Sequence, residues 1–328
     1  MKLLFLKMNI WTKIRKLSWV GDVIAILFLF LFSIMLVAAV LSLLGLDQPP
    51  VVSAIDEGPI DTYMSEQEAL ARYNAIAYPL TMLVPIVLIW IYSRLRGRKE
   101  YVPIRCSIAG FNPSVILVGV LWLLSSQILL EPLVLMLPQS QMPGVGLGAW
   151  AYVTAIVSAP VLEEILCRGV VFGTLRRRLG VKMSILLSAL FFGLLHFDYS
   201  TAIVATVAGL IFGVLYVRTS SIFASMIVHS INNALAFVLI VWEVGDLTFR
   251  ELINNDKIYH IVYGVAAVIF VAASIEACVK VLFKKPEKQN LQGAEETAAS
   301  PAGVAEEAAT EIVAMVELDE TQEKQEDK

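Results

Sequence analysis

The chain has 328 residues, of which 58% are hydrophobic and only 16% charged, and its mean hydropathy is +0.74. Soluble domains carry roughly 25% charged residues, so this composition excludes a soluble globular enzyme and describes a protein dissolved in lipid. The formal net charge of −4 is unevenly spread: residues 289–328 hold 11 acids and 2 bases, leaving 18 acids and 23 bases on residues 1–288.

Residues 1–20 carry Lys2, Lys7, Lys13, Arg15 and Lys16 with Trp11 and Trp19, a mixture that suits a segment lying at a cytoplasmic membrane surface. The apolar run that follows, Val23 to Leu46, is longer than the roughly 7–15 residues of a signal peptide's apolar region, so it reads as an uncleaved first span. Further apolar runs lie at 74–93, 114–137, 150–175, 183–197, 199–217, 221–242 and 258–283. At about 20 residues per crossing they predict an all-α polytopic bundle of about eight transmembrane helices, one of them short and membrane-embedded. The expected organisation is a basic cytoplasmic segment over 1–20, a transmembrane helical domain over 21–285 with a functional core at about 150–242, and an acidic, disordered cytoplasmic tail over 286–328.

The loops set the orientation. Basic residues fall in alternate connections: the N-terminus, 94–105, 176–182, Arg218 and 280–288. The intervening 47–73 is acidic and 138–149 uncharged. By the positive-inside rule both termini are cytoplasmic, and the expected location is a bacterial plasma membrane. The fifth run, 183–197, would rise only about 22 Å as a helix, less than the ~30 Å hydrocarbon core, which keeps His196 inside the membrane. Cys106, Cys167 and Cys278 follow neither a metal-binding nor a disulfide spacing and read as structural thiols.

Within the fourth run stands Ser158 to Arg168, S-A-P-V-L-E-E-I-L-C-R. Ionised groups at membrane depth are expensive and normally face a protein interior, paired with something. Successive helical residues point about 100° apart, so Glu163 and Glu164 diverge, whereas Glu164 and Arg168, four apart, share a face. The economical reading pairs Glu164 with Arg168 as a structural ion pair and leaves Glu163 for chemistry. Pro160, three residues earlier, is expected to kink the helix and free carbonyls nearby.

Two of the chain's three histidines also lie in apolar runs. His196 stands four residues after Phe192, and His229 four before Asn233, so each pair shares a helix face. Taken singly, His196 is an ordinary helix-end residue and His229 with Asn233 ordinary interhelical glue. Together, three separate spans each supply polar groups that lipid would reject, and convergence on one site is the simplest explanation. Glu131, Glu276 and His260 carry less weight: the first reads as a bundle pair or the mark of a water-filled path, the second as an interface partner of Lys280, the third as a solvated residue.

E-E-I-L-C-R, F-G-L-L-H and H-S-I-N-N resemble, in order, the E-E-x-x-x-R, F-x-x-x-H and H-x-x-x-N motifs of the CPBP family, the CAAX-processing and bacteriocin-processing intramembrane endopeptidases formerly known as the abortive-infection family. The resemblance covers about 150–242. It implies that Glu163 activates water with His196 assisting, that His229 and Asn233 steady the oxyanion, and that Phe192 packs the motif. Amide hydrolysis does need a base for water and donors aimed at developing negative charge. The expectation is a metal-free glutamate mechanism with no cofactor; the alternative is zinc held by Glu163, His196 and His229, although no H-E-x-x-H is present. The expected partners are a peptide or membrane-protein substrate and the bilayer, with no nucleic acid. A proton-coupled transporter would also use intramembrane Glu and His, but it should show repeated halves with interrupted helices, and no internal repeat is found. A non-catalytic scaffold is the third reading, and the intact motifs argue against it.

Overall fold

Lipid offers the backbone no water to bond, so each apolar run must close its own hydrogen bonds as a helix. The structure, a computed structural model, describes residues 18–46, 49–52, 59–96, 104–107, 112–138, 144–242 and 247–282. These all lie within one compact unit, Met1–Phe283. The basic segment before residue 18, the basic pair Arg98 and Lys99, and the acidic tail, with the expectations attached to them, lie outside the described residues.

The described chain is helical apart from its connections and one isolated antiparallel bridge between Cys106 and Ser221. Helices α1 (Trp19–Leu43), α2 (Ile60–Arg96) and α3 (Pro113–Val134) come first. A broken rod follows: α4 (Ala149–Tyr152), a π-helical segment Val153–Ser158, α5 (Ala159–Glu164) and a second π-helical segment Ile165–Val171. It passes into α6 (Phe172–Leu194), which is two helices joined at Gly180, whose φ of +70° only glycine adopts without strain. Then come α7 (Tyr199–Thr219), α8 (Ile222–Val241), a short α9 (Phe249–Ile253) and α10 (Asp256–Ala277), which ends in a π-helical turn, Cys278–Leu282. Side-chain caps mark several starts, notably Asn112 before Pro113, Asp198 accepting from Thr201 N–H, and a Thr248/Glu251 capping box on α9.

All eight apolar runs are therefore helical, and six helices are long and apolar enough to cross a membrane. The fourth and fifth runs are not among them, because charge and π-helical turns interrupt one and Gly180 shortens the other. The core gathers around α7, whose Ala205, Gly209 and Gly213 recur every four residues and let α6 approach closely. A Cβ on Gly209 would lie 3.0 Å from Ala189 Cα, and one on Gly213 would lie 3.0 Å from Ile185 Cγ2.

At one end of the bundle, Asp22 of α1 is 2% exposed and accepts from Arg96 Nε at 2.5 Å, Arg96 Nη2 at 2.9 Å and Tyr92 O–H at 2.6 Å. Arg178 Nε lies 3.5 Å from its other oxygen. The start of α1, the end of α2 and the end of the 149–179 rod thus meet at one level. The sequence reading treats Arg96 and Arg178 as loop charges that set topology; both are tied to a buried aspartate. Glu276 is held by Arg218 at 2.9 Å and Lys280 at 2.6 Å, while His260 is exposed. Glu131 accepts from the Phe249 backbone N–H and so anchors α9 to α3.

Candidate active site

The site starts from a proline. In the π-helical register the N–H of residue i reaches the carbonyl of residue i−5: Ala159 N–H goes to Thr154 O. The next donor in that register would be residue 160, and Pro160 has none. The Ala155 carbonyl is met instead by Asn233 Nδ2 at 2.9 Å, which ties α8 to the broken rod about two turns before the glutamates. π-Helical turns are frequent at functional sites because they re-aim the following side chains. Here they flank α5, whose last two residues are Glu163 and Glu164.

Glu164 and Arg168 are both completely buried, and Arg168 Nη1 donates to Glu164 Oε1 at 2.8 Å. Arg168 Nη2 donates to Gly209 O at 2.7 Å, and the guanidinium carbon lies 4.9 Å and 5.4 Å from the ring centroids of Phe192 and Phe212. The absence of a side chain at Gly209 thus serves two purposes: close approach of α6 and access to its carbonyl. His229 lies between the two glutamates. Its Nε2 is 3.7 Å from Glu163 Oε2 and its Nδ1 is 3.5 Å from Glu164 Oε1. The second separation is within ion-pair reach but lacks hydrogen-bond geometry, so Nδ1 has no hydrogen-bond partner. Phe212 stacks on the imidazole at 4.8 Å, and Phe192 meets it edge-on at 5.5 Å. Aromatic walls of this kind fix the ring plane while leaving its edges open to the carboxylates.

His196 meets the same phenylalanine edge-on, its ring 5.2 Å from that of Phe192. Its Nδ1 is 3.0 Å from the Phe192 carbonyl, which makes Nδ1 the protonated nitrogen and Nε2 the free one. Among the described residues it is His229, and not His196, that lies within 4 Å of Glu163. Asn233 stands on the face of α8 that carries His229, with its amide engaged by Ala155 O and by Asn232 Nδ2 at 3.3 Å. Asn232 in turn accepts from Gln127 of α3 at 2.6 Å.

Two features escape the sequence reading. Tyr78 of α2 donates its O–H to Glu163 Oε1, and the signal available was only a tyrosine beside Pro79 in an apolar run. The Asp22 cluster is the other. An apolar cavity of about 350 Å³ lies between α3, α6, α7 and α10, lined by Trp122, Leu210 and Phe270 among others, and no candidate catalytic residue borders it.

The zinc alternative can be tested against the donor geometry. His196 points Nδ1 at a carbonyl, and both nitrogens of His229 face carboxylates. Among the described residues no group of three His, Cys, Asp or Glu side chains is placed to hold a metal ion. Glu163, His196 and His229 do not fit a zinc site as they stand.

Fold and site together define a class: an all-α, multi-pass membrane protein whose paired glutamates and histidine converge from separate rods in an almost closed interior. Residues 145–235 match the family described as Type II CAAX prenyl endopeptidase Rce1-like. A protein of Bacillus subtilis (strain 168), "Putative membrane peptidase YdiL", is 29% identical over 87 residues, which is 26% of this chain and 36% of that protein. The chain therefore aligns with little more than a third of that relative's length. No solved structure matches. Both similarities are to CAAX-type membrane peptidases, and the family match is confined to the core at 145–235.

Proposed function

We propose that the protein is an intramembrane endopeptidase that hydrolyses peptide bonds of membrane-associated, CAAX-like substrates with a water activated by Glu163. The observation that carries this reading is Glu163 Oε2. It is a buried carboxylate oxygen with no hydrogen-bond partner, facing His229 Nε2 at 3.7 Å. A separation of that length between polar atoms suits a bridging water rather than a direct bond.

In the proposed reaction Oε2 takes a proton from that water, and the resulting hydroxide forms a bond to the scissile carbonyl carbon. The carbonyl electrons move onto its oxygen. His229 and Asn233 donate to that oxyanion, Asn233 exchanging its bond with Ala155 O for one to the substrate. Collapse of the intermediate breaks the C–N bond, and Glu163 returns the proton to the leaving nitrogen. A base and preorganised donors in a low-dielectric interior are the two largest contributors such a reaction needs. His196, with Nε2 free, assists from the edge of the site. Glu164 and Arg168 hold the imidazole and the rod in place. With Glu163 at 6% and His229 at 5% exposure, a substrate enters as neighbouring helices part. Both termini are assigned to the cytoplasm on the basic loops.

Comparative proteomics of membranes carrying wild type or Glu163→Ala tests the reading. Fragments of membrane proteins that appear only with Glu163 are the expected result. Identical fragment sets from membranes with equal amounts of the two proteins would sink it.

A further inference from the structure

We propose that Tyr78 is a positioning residue for Glu163: by donating its O–H to one carboxylate oxygen it fixes the carboxylate plane and aims the other oxygen at the attacking water. The inference rests on the endopeptidase reading above and deepens it.

A carboxylate presents two equivalent oxygens that exchange by rotation about one bond. A water held against one of them is productive only if that oxygen faces the reacting carbonyl, and misplacement by about 1 Å can cost on the order of 100-fold in rate. Here the two oxygens are unequal. Oε1 accepts from Tyr78, whereas Oε2 has no partner and faces His229. A half-turn merely exchanges the two oxygens and restores the same arrangement, whereas any intermediate angle would break the Tyr78 bond and leave a buried oxygen without its donor, so the bond fixes the plane of the carboxylate.

Tyr78 can do this because α2 is fastened at two levels along the broken rod. One fastening is Tyr78 on Glu163; the other is the hydroxyl contact between Ser93 and Thr174. Residue numbers rise together along both elements, so α2 and the rod run parallel and the height of Tyr78 relative to Glu163 is set at both ends. The lower end is further held by Arg96 and Tyr92 on Asp22. Pro79 has no N–H to offer the Ala75 carbonyl, which loosens the α2 ladder at the level of the glutamates. Tyr78 also stands outside the 145–235 match, so the contact is supplied by a helix that the family comparison does not cover.

A merely structural tyrosine would satisfy one carboxylate oxygen and stabilise the fold without mattering to where the other oxygen points. The test uses purified full-length protein in detergent micelles, with an internally quenched, farnesylated CAAX-type peptide as probe. Tyr78→Phe keeps the ring and removes the donor. The expected result is a kcat lowered by about 10–100-fold with KM within about twofold, and an unfolding temperature lowered by only a few degrees. Glu163→Gln serves as the reference for the reading beneath it. If Glu163→Gln is inactive while Tyr78→Phe turns over like wild type, the role of Tyr78 is overturned and the endopeptidase stands. If Glu163→Gln keeps wild-type turnover, or if wild type cleaves no probe, both fall. Should Tyr78→Phe not fold, site-specific ring fluorination of Tyr78 strengthens the donor while retaining the O–H; kcat must then change at constant KM, and an unaltered kcat overturns the proposal.

Discussion

Asp22 and Glu164 are both carboxylates buried beside arginines, at 2% and 0% exposure, but their bonding is unlike. Each oxygen of Asp22 has an arginine nitrogen against it, and Oδ1 accepts from Tyr92 as well. Around Glu164 the account does not close. Glu164 Oε2, Arg168 Nε, His229 Nδ1 and Glu163 Oε2 are all buried without a hydrogen-bond partner. Buried polar groups in native proteins are nearly always satisfied, so four orphan atoms within one cluster need a reason. A cluster built only to hold helices together should look like Asp22. A cluster that must bind water, an oxyanion and a peptide keeps bonding capacity in reserve, and the low dielectric makes that reserve strong once it is used.

The contrast breaks or holds on three measurements. The largest effect comes from removing each carboxylate in turn. Asp22→Ala removes the carboxylate that Arg96 and Arg178 share, and Glu164→Gln leaves the fully buried Arg168 with a weaker, neutral partner; breaking a buried pair costs about 3–5 kcal/mol. Both variants should unfold earlier in detergent, and only Glu164→Gln should also lose turnover per folded molecule, because His229 Nδ1 loses the carboxylate it faces. Equal turnover loss in the two would erase the distinction between clamp and site.

A smaller effect is expected from Gly209→Ala. The added methyl meets Ala189 backbone at 3.0 Å, and overpacking of this kind costs typically about 1–3 kcal/mol. Since Gly209 O also holds Arg168, the variant should lower both thermal stability and turnover, whereas Gly264→Ala, at a position with open space around it, should alter neither. A Gly209→Ala protein with wild-type stability would mean that α6 and α7 are not closely packed there.

The smallest effect is expected from metal removal. Exhaustive chelation of the purified protein should leave turnover within about twofold of the untreated level if a carboxylate base suffices. Activity lost on chelation and restored by stoichiometric zinc would replace the glutamate-activated water with a metal-bound one, and would require His196 to leave the Phe192 carbonyl.

What the sequence determined by itself was whatever depends on local periodicity and on the cost of charge in lipid. All eight apolar runs are helical because lipid admits no other open-chain solution. The four-residue spacing of Glu164 and Arg168 is enough to place them on one face, and they meet at 2.8 Å. The same arithmetic puts His229 and Asn233 on one side of α8. The loss of a donor at Pro160 was legible too, although its consequence was not: only the packing of α8 against the rod shows that Asn233 takes up the Ala155 carbonyl. Tertiary structure alone decided which imidazole stands beside Glu163, because His196 lies in the turn after α6 and His229 on α8, and their spacing in the chain carries no distance. It likewise decided that Asp22 at the start of the first span answers Arg96 and Arg178, residues 74 and 156 positions away, where the sequence shows the two arginines only as members of basic loops. Tyr78 is the clearest case. Nothing local distinguishes a tyrosine in an apolar run, and its bond to Glu163 exists only because α2 is laid parallel to the broken rod and fastened there.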